Sequence, residues 1–218
     1  RWLADCAARS SLWSDNRIEV IPNGVNTDLF RPLPKAVARQ RLGLPAESKI
    51  LLFTCQLHAE RRKGYRELLE VARILADRRR DLHVLTLGRA SAGAEEIPLP
   101  HTSLGRVERE ELMALAYSAS DATILPTLED NLPNVILESI ACGTPIAAFD
   151  SGGVKDAVLD GITGYTAPPG DCRGLAAAVE RLLAEDLSTS CRSEAIRRFS
   201  LTLQADRYVQ LFETLLDK

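Results

Sequence analysis

The sequence predicts an α/β fold in which a parallel β-sheet is covered by helices on both faces. Short apolar segments alternate along the chain with segments whose apolar residues recur at helical spacing. Several of the short segments lack the apolar–polar alternation that marks a half-exposed strand, so both faces of those strands must be covered. The connections between segments are short. Together, these observations are typical of a doubly wound α/β domain.

The predicted elements follow one another along most of the chain. The first β-branched run is Ile18–Ile21, which stops at Pro22. The later predicted strands are Lys49–Cys55, Leu82–Leu87, Ser103–Val107, Ala122–Leu125 and Pro145–Phe149. The predicted helices are Lys35–Leu42, Lys63–Ala76, Glu108–Ser118, Pro133–Ala141, Asp171–Leu183, Ser188–Arg198 and Leu201–Leu216. In such sheets ligands bind at the carboxyl ends of strands, near the switch in strand order, so the loops that follow the strands are the candidate sites.

Composition excludes several classes of function. The chain has 218 residues, with 27 lysines and arginines against 30 acids and a net charge of −3, so it lacks the basic excess typical of nucleic-acid binding. Its 5 cysteines are odd in number and none forms a C-x-x-C pair, which favours a reducing cytoplasm. Cys55 and Cys142 lie in apolar runs, where a free cysteine is expected to behave as a small hydrophobic residue. The three histidines are scattered, so we expect no metal site. We also expect no transmembrane helix and no signal peptide.

The ends of the chain suggest a larger protein. The first residue is not methionine, and residues 1–15 open in a helical pattern. We therefore expect a helix over residues 1–15 that links this chain to a missing N-terminal domain. A Rossmann-like domain is expected over residues 16–200, followed by a C-terminal helix over residues 201–218.

The segment from Asp130 to Gly143 carries the strongest functional signal. Pro133 suits the first turn of a helix, whose free N–H groups form an anion site. Glu138 lies in an apolar run, where a buried carboxylate requires hydrogen-bond partners such as the two hydroxyls of a ribose. The alternative is that Asp130 caps the helix and Glu138 faces solvent.

This segment resembles the paired-acid motif of family-4 (group 1) glycosyltransferases, enzymes with the GT-B fold. The family has two glutamates separated by seven residues, followed by Ala-Cys-Gly-x-Pro. This chain has Asp130, seven residues, Glu138, and then the same Ala-Cys-Gly-x-Pro ending over residues 141–145. The first acid is one methylene shorter than usual. The resemblance extends over the chain and implies the C-terminal, donor-binding half of a GT-B enzyme.

The resemblance implies a role for the basic segment that follows the first long strand. The family places an arginine and then a Lys-Gly pair there, and these cations hold the donor pyrophosphate. Lys63-Gly64 fills the second place, but Gln56 stands where the arginine is usual. Arg62 or Arg61 could supply the missing charge. A solvated basic loop is the alternative.

Further residues match the family less specifically. The resemblance places the donor diphosphate near the amides of Asn131, Leu132 and Asn134, and the base near the backbone of Val107. Gly153 lies in a Gly-Gly turn that resembles the family's Gly-Gly-x-Pro-Glu, with Lys155 in place of the proline. The Pro-Asn-Gly turn at residues 22–24 and the Asp-Gly-x-x-Gly turn at residues 160–164 are interpreted as structural.

The resemblance implies retaining transfer of a sugar from a nucleotide diphosphate sugar to an acceptor hydroxyl, with no metal and no other cofactor. Lys63 and Asp130 would be catalytic, and Glu138 would hold the ribose. The Asp-Asn-Leu-Pro-Asn sequence is similar to that of enzymes that build bacterial surface polysaccharide. The expected location is cytoplasmic or peripheral at the inner face of the membrane, with membrane contact only through the missing half. This half alone is expected to be inactive.

Two other classes stay open at this point. One is a nucleotide-sugar epimerase or hydrolase of the same fold, whose catalytic acids would lie on the other domain. The second is a binding module that has lost catalysis, which the departures at Asp130 and Gln56 would fit.

Overall fold

The protein is described here from a computed structural model that covers residues 1–57, 60–89 and 95–217, without the side chains of residues 55–57 and 89. The strands are β1 (Lys49–Leu57), β2 (Leu82–Arg89), β3 (His101–Ser103), β4 (Ala122–Leu125), β5 (Ile146–Phe149) and β6 (Gly164–Ala167). The helices are α1 (Trp2–Ala8), α2 (Lys35–Leu42), α3 (Tyr65–Arg78), α4 (Glu110–Ala119), α5 (Asn134–Ala141), α6 (Cys172–Ala184), α7 (Ser188–Phe199) and α8 (Leu201–Leu216). Within these ranges no helix is both long and apolar enough to cross a bilayer.

All six strands pair in parallel in the order β3-β2-β1-β4-β5-β6. Chain order therefore runs outward from β1 in one direction and outward from β4 in the other. Leu51 of β1 marks the junction, since it pairs with Val84 on one side and Ala122 on the other. A doubly wound sheet with this order has its ligand crevice at the carboxyl ends of β1 and β4. The predicted fold class is confirmed.

Helices bury both faces of the sheet. In β1, Ile50 and Leu52 join one apolar cluster with residues of α4, α5 and α7, whereas Leu51 and Phe53 join a second cluster with residues of α3 and α6. Successive residues of a strand point to opposite faces, so an unbroken apolar run is what a strand between two helical layers requires.

The loops that follow β1 and β4 are joined directly at the switch in strand order. The Arg62 carbonyl oxygen accepts hydrogen bonds from Leu128 N (2.8 Å) and Thr127 Oγ1 (3.0 Å). Gly64 has a positive φ of 76°, and a Cβ added there would lie 1.8 Å from the Pro126 carbonyl oxygen. Only glycine permits this approach, which brings the end of the first loop against the start of the second.

The amino-terminal segment differs from prediction. The helix expected over residues 1–15 ends at Ala8, since Ser10 Oγ accepts a hydrogen bond from Leu12 N (3.2 Å) and favours turns. Residues Ile18–Ile21 form no strand because they have no partner in the sheet. The chain is anchored just beyond them, where Val25 N donates to Phe199 O (2.7 Å) at the junction of α7 and α8.

One strand prediction was also wrong, and one strand was missed. The strand expected over Ser103–Val107 occupies His101–Ser103, since Gly105 turns the chain with a φ of 63°. β6 was missed because Gly164–Ala167 is short and carries a single β-branched residue; its parallel pairing with β5 stabilises it. The turn at residues 160–164 leads into this strand. α8 has the predicted bounds, whereas the division into domains at residues 16 and 200 stays a prediction.

Replacing Gly64 with alanine should destabilise the fold far more than replacing Gly43, which matches it in backbone conformation. Gly43 has a φ of 65° and open space where a Cβ would lie, so Gly43→Ala carries only the left-handed strain of about 1–2 kcal/mol. Gly64→Ala adds the clash with Pro126, and we expect a loss of more than about 3 kcal/mol in the free energy of unfolding. Urea denaturation of both variants measures this difference, and equal losses would contradict the close packing of the two loops.

Candidate functional site

Lys63 and Asp130 meet at the switch in strand order, although 67 positions separate them in the sequence. Lys63 ends the short 3₁₀ turn after β1, and Asp130 lies in the loop between β4 and α5. Lys63 Nζ lies 2.6 Å from Asp130 Oδ2, and the exposed fractions of the side chains are 24% and 15%. A partly buried ion pair of this kind keeps both charges fixed at the mouth of the crevice.

Of the two adjacent arginines, the structure turns Arg62 toward the same site. Its guanidinium lies 3.5 Å from Asp130 and 2.6 Å from Glu60, and its side chain is half-exposed. Arg61 instead pairs with Glu67 in the first turn of α3, at 2.8 Å. Arg62 is therefore the arginine that can add positive charge beside Lys63. The side chain of Gln56, which takes the place of the usual arginine, lies outside the described residues.

The loop after β5 supports the loop that carries Asp130. The Asp130 carbonyl oxygen accepts a hydrogen bond from Gly153 N (3.2 Å), and Ser151 Oγ donates to Thr127 O (2.8 Å). A Cβ on Gly152 would lie 1.8 Å from the Asp130 carbonyl oxygen. Gly153 thus supports the loop through its own N–H, and its predicted contact with a donor stays a prediction.

The start of α5 supplies the second polar part of the site. Pro133 is the buried N-cap, and no side chain caps the helix. The alternative in which Asp130 caps α5 is therefore wrong; its Oδ1 accepts the N–H of Asn131 (3.0 Å) instead. Asn134 is exposed and accepts a hydrogen bond from Asn23 Nδ2 (3.3 Å). Ile136 N donates to the Pro133 carbonyl (3.0 Å), whereas the amides of Asn134 and Val135 have no acceptor within the helix and can bind an anion.

Leu132 and Val107 were also predicted to belong to the site, but their side chains contact the apolar core. Both side chains are partly buried and pack against the apolar cluster on the α5 side of the sheet. Val107 lies between β3 and α4, on the same side of the switch as β2. Whether the backbone at either residue meets a ligand stays a prediction.

Glu138 is the partly buried acid of the site. It lies in the second turn of α5, between the fully buried Leu137 and Ser139. Its Oε2 accepts a hydrogen bond from the Tyr117 hydroxyl (2.8 Å), whereas Oε1 has no hydrogen-bond partner in the described part of the chain. The alternative in which Glu138 simply faces solvent is wrong, and Oε1 is open to a ligand hydroxyl.

The charges around Glu138 have opposing effects. Burial raises the pKa of its carboxyl above the ordinary value, the Tyr117 hydroxyl lowers the pKa, and the nearby Glu110 raises it. Burial and the charge of Glu138 raise the pKa of Tyr117 well above 10, so its hydroxyl stays protonated and can only donate to a carboxylate.

Tyr117 had no place in the site predicted from sequence. Two general rules could have pointed to this contact. The hydroxyl of a buried tyrosine requires a hydrogen-bond acceptor, and a carboxylate in an apolar helix requires a hydrogen-bond donor.

The cysteine of the motif is a packing residue. Cys142 follows α5 and is buried, and burial raises the pKa of its thiol to about 12. It therefore behaves as a small hydrophobic side chain, as predicted. The side chain of Cys55, for which the same was predicted, lies outside the described residues. Among the residues that the structure describes, no group of three or more metal-ligating side chains comes together.

Comparison with known proteins identifies the family. The family model for glycosyl transferases group 1 matches residues 48–185, which is more than half of the chain. The chain belongs to the group 1 glycosyltransferases. It is also 32% identical to a D-inositol 3-phosphate glycosyltransferase from Thermobispora bispora, over 93% of this chain and 51% of that protein. The chain spans about half the length of the curated relatives that it matches.

Solved structures agree with the family assignment. Sucrose-phosphate synthase from Thermosynechococcus elongatus superimposes with a TM-score of 0.83 at 26% identity, covering 98% of this chain and 56% of that one. The Anabaena protein HepE in complex with UDP superimposes with a TM-score of 0.76 at 22% identity, covering 92% and 57%. This group 1 glycosyltransferase chain thus has the fold of one half of a GT-B enzyme, as predicted.

Proposed function

We propose that this chain is the donor-binding half of a glycosyltransferase that moves a sugar, with retention of configuration, from a nucleotide diphosphate sugar to a hydroxyl. The observation that carries the proposal is the convergence of Lys63 and Asp130 at the carboxyl ends of β1 and β4. Family membership supports sugar transfer, and the general rule that ligands bind at the switch in strand order supports a donor site at this point.

The site offers distinct partners to each part of such a donor. Lys63, Arg62 and the first amides of α5 offer positive charge and N–H groups to the diphosphate, whose negative charge grows as it leaves. Asp130 offers a carboxylate to hydroxyls of the transferred sugar. Glu138 Oε1 offers an acceptor to the ribose hydroxyls. In this proposal no metal takes part, since the cations and amides stabilise the leaving group.

The Lys63–Asp130 pair must rearrange when the donor binds. Asp130 Oδ2 accepts a hydrogen bond from the Lys63 ammonium at 2.6 Å. A diphosphate that binds Lys63 would displace this carboxylate, which then becomes free to accept a sugar hydroxyl. The pair therefore links binding of the phosphates to presentation of the acid that faces the sugar.

We propose that transfer needs a second domain that binds the acceptor and closes the crevice. The relatives are about twice as long as the matched region, which supports this division of roles. The chain alone should then bind nucleotide without transferring sugar. For the whole enzyme, surface polysaccharide synthesis in the cytoplasm stays our proposal, and the curated relatives add phosphorylated inositol as a candidate acceptor.

Replacing Lys63 with methionine should weaken binding of UDP, the nucleotide held by HepE. Loss of one charge-assisted hydrogen bond to the diphosphate costs about 1.5–3 kcal/mol. Lys35→Met is the matched control, because Lys35 also pairs with an aspartate, Asp121 at 2.9 Å, but at the opposite end of the sheet. Calorimetric titration of both variants with UDP, ADP and GDP measures their affinities. If Lys63→Met and Lys35→Met bind the nucleotide equally well, Lys63 does not belong to the nucleotide site.

Replacing Glu138 with alanine should weaken nucleotide binding by about 1.5–3 kcal/mol, which is about 10- to 150-fold in Kd. The loss should disappear for inorganic diphosphate, because Glu138 is assigned to the ribose. Glu185→Ala is the control, since Glu185 also accepts a tyrosine hydroxyl, from Tyr165 at 2.7 Å. Calorimetric titration with the nucleotide and with inorganic diphosphate measures both affinities. An unchanged nucleotide affinity in Glu138→Ala would contradict the assignment of Glu138 to the ribose.

A further inference from the structure

The hydrogen bond between Tyr117 and Glu138 is more than a core contact. Tyr117 is fully buried on α4, and its ring packs edge-on against Phe30 with centroids 6.3 Å apart. Its hydroxyl reaches one oxygen of Glu138 at 2.8 Å and leaves the other oxygen open. One oxygen of the Glu138 carboxylate is thus bonded to the protein, and the other is available to a ligand.

The backbone around Tyr117 fixes the position of its hydroxyl. The Tyr117 carbonyl oxygen accepts a hydrogen bond from Thr144 Oγ1 (2.7 Å), and Thr144 N donates to Ser139 O (2.9 Å) in the same helix as Glu138. Thr144 thus links α4 to α5 through hydrogen bonds to both helices, and its partner in α5, Ser139, is next to Glu138 in the chain. The backbone that carries Tyr117 is thereby tied to α5, the helix that carries Glu138.

We propose that Tyr117 is a positioning residue of the donor site, which holds Glu138 charged and oriented so that its free oxygen accepts a ribose hydroxyl. This inference rests on the proposed function, because it concerns the same ribose contact. Tyr117 itself is too deeply buried to touch the ligand, so its effect must pass through Glu138.

The surroundings of Glu138 show why it needs a fixed donor. Among the described elements, α4, α7 and β5 pack most extensively against α5. The described titratable groups near it are Tyr117 and Glu110 on α4, and Cys142 just after α5, whose thiol stays protonated because burial raises its pKa to about 12. Arg192 on α7 binds the Ala141 carbonyl at the end of α5 instead, and β5 carries no titratable residue. Burial and Glu110 both raise the pKa of Glu138, and Tyr117 alone opposes them.

The sign of the expected pH effect follows from these contributions. Removing the Tyr117 hydroxyl raises the pKa of Glu138 further, so at a given pH a smaller fraction of the carboxyl is ionised. A ligand hydroxyl that donates to the carboxylate is then lost at a higher pH than in the unsubstituted protein. Nucleotide affinity of a Tyr117→Phe variant should therefore fall more steeply as the pH is lowered.

The test compares Tyr117→Phe with Tyr165→Phe in the chain, by calorimetry with UDP, ADP and GDP. Each variant loses one hydroxyl bonded to a glutamate, but the Tyr165–Glu185 pair lies at the opposite end of the sheet. The nucleotide's terminal phosphate also titrates near pH 6, and the ratio of the two Kd values cancels that effect. We expect a ratio on the order of 5 at about pH 8, which grows as the pH is lowered to about 5.5.

A third variant separates positioning from general stability. In a Glu138→Gln background, Tyr117→Phe should change the nucleotide Kd less than about 2-fold at every pH, because no carboxylate remains to be held. A ratio that does not change with pH, or equal effects of Tyr117→Phe with and without Glu138, would overturn the inference. If the unsubstituted chain binds none of the three nucleotides, the proposed function fails and this inference fails with it.

A measurement on the unsubstituted chain keeps the test valid should Tyr117→Phe not fold. The buried Tyr117 hydroxyl proton should be visible by NMR, and its resonance should move as Glu138 ionises. Glu138→Gln should abolish that movement. A hydroxyl resonance whose titration is the same in both proteins would overturn the inference.

Discussion

The packing of the β1 loop against the β4 loop is the contact on which the site depends. The Arg62 carbonyl binds Leu128 N and the Thr127 hydroxyl, and Gly64 lies directly against the Pro126 carbonyl. The residues on either side of this seam are Lys63 and Asp130. A shift of one loop by the width of a methyl group would separate their charges. The switch in strand order places the two loops side by side, and the missing Cβ of Gly64 lets them touch.

The second requirement of the proposed site is a partly buried carboxylate that is ionised when the donor binds. Glu138 lies in an apolar helix, where ionisation is costly without hydrogen bonds. Tyr117 supplies one from within the core. In the proposed donor site, the remaining oxygen of Glu138 accepts a ligand hydroxyl. The two acids of the motif thus have different environments. Asp130 is held by cations at the mouth of the crevice, whereas Glu138 is held by a neutral donor inside the fold.

Much of this arrangement could be predicted from residues. The apolar run of β1 required two helical layers, and the spacing of Asp130 and Glu138 marked the site. β6 escaped prediction because pairing with β5, and not its own composition, stabilises Gly164–Ala167. Tyr117 escaped because no local pattern tells which acceptor a buried hydroxyl finds 21 residues away. Long-range pairing was the missing information in both cases.

The most direct test of the central claim is a crystal structure of the chain with UDP. The account predicts nucleotide at the carboxyl ends of β1 and β4, with a diphosphate oxygen on Lys63 Nζ and a ribose hydroxyl on Glu138 Oε1. A second cleft, lined by Lys35, Lys49 and Asp121, lies at the amino ends of the same strands. UDP bound in that cleft, or bound at the switch without contact to Glu138, would contradict the account.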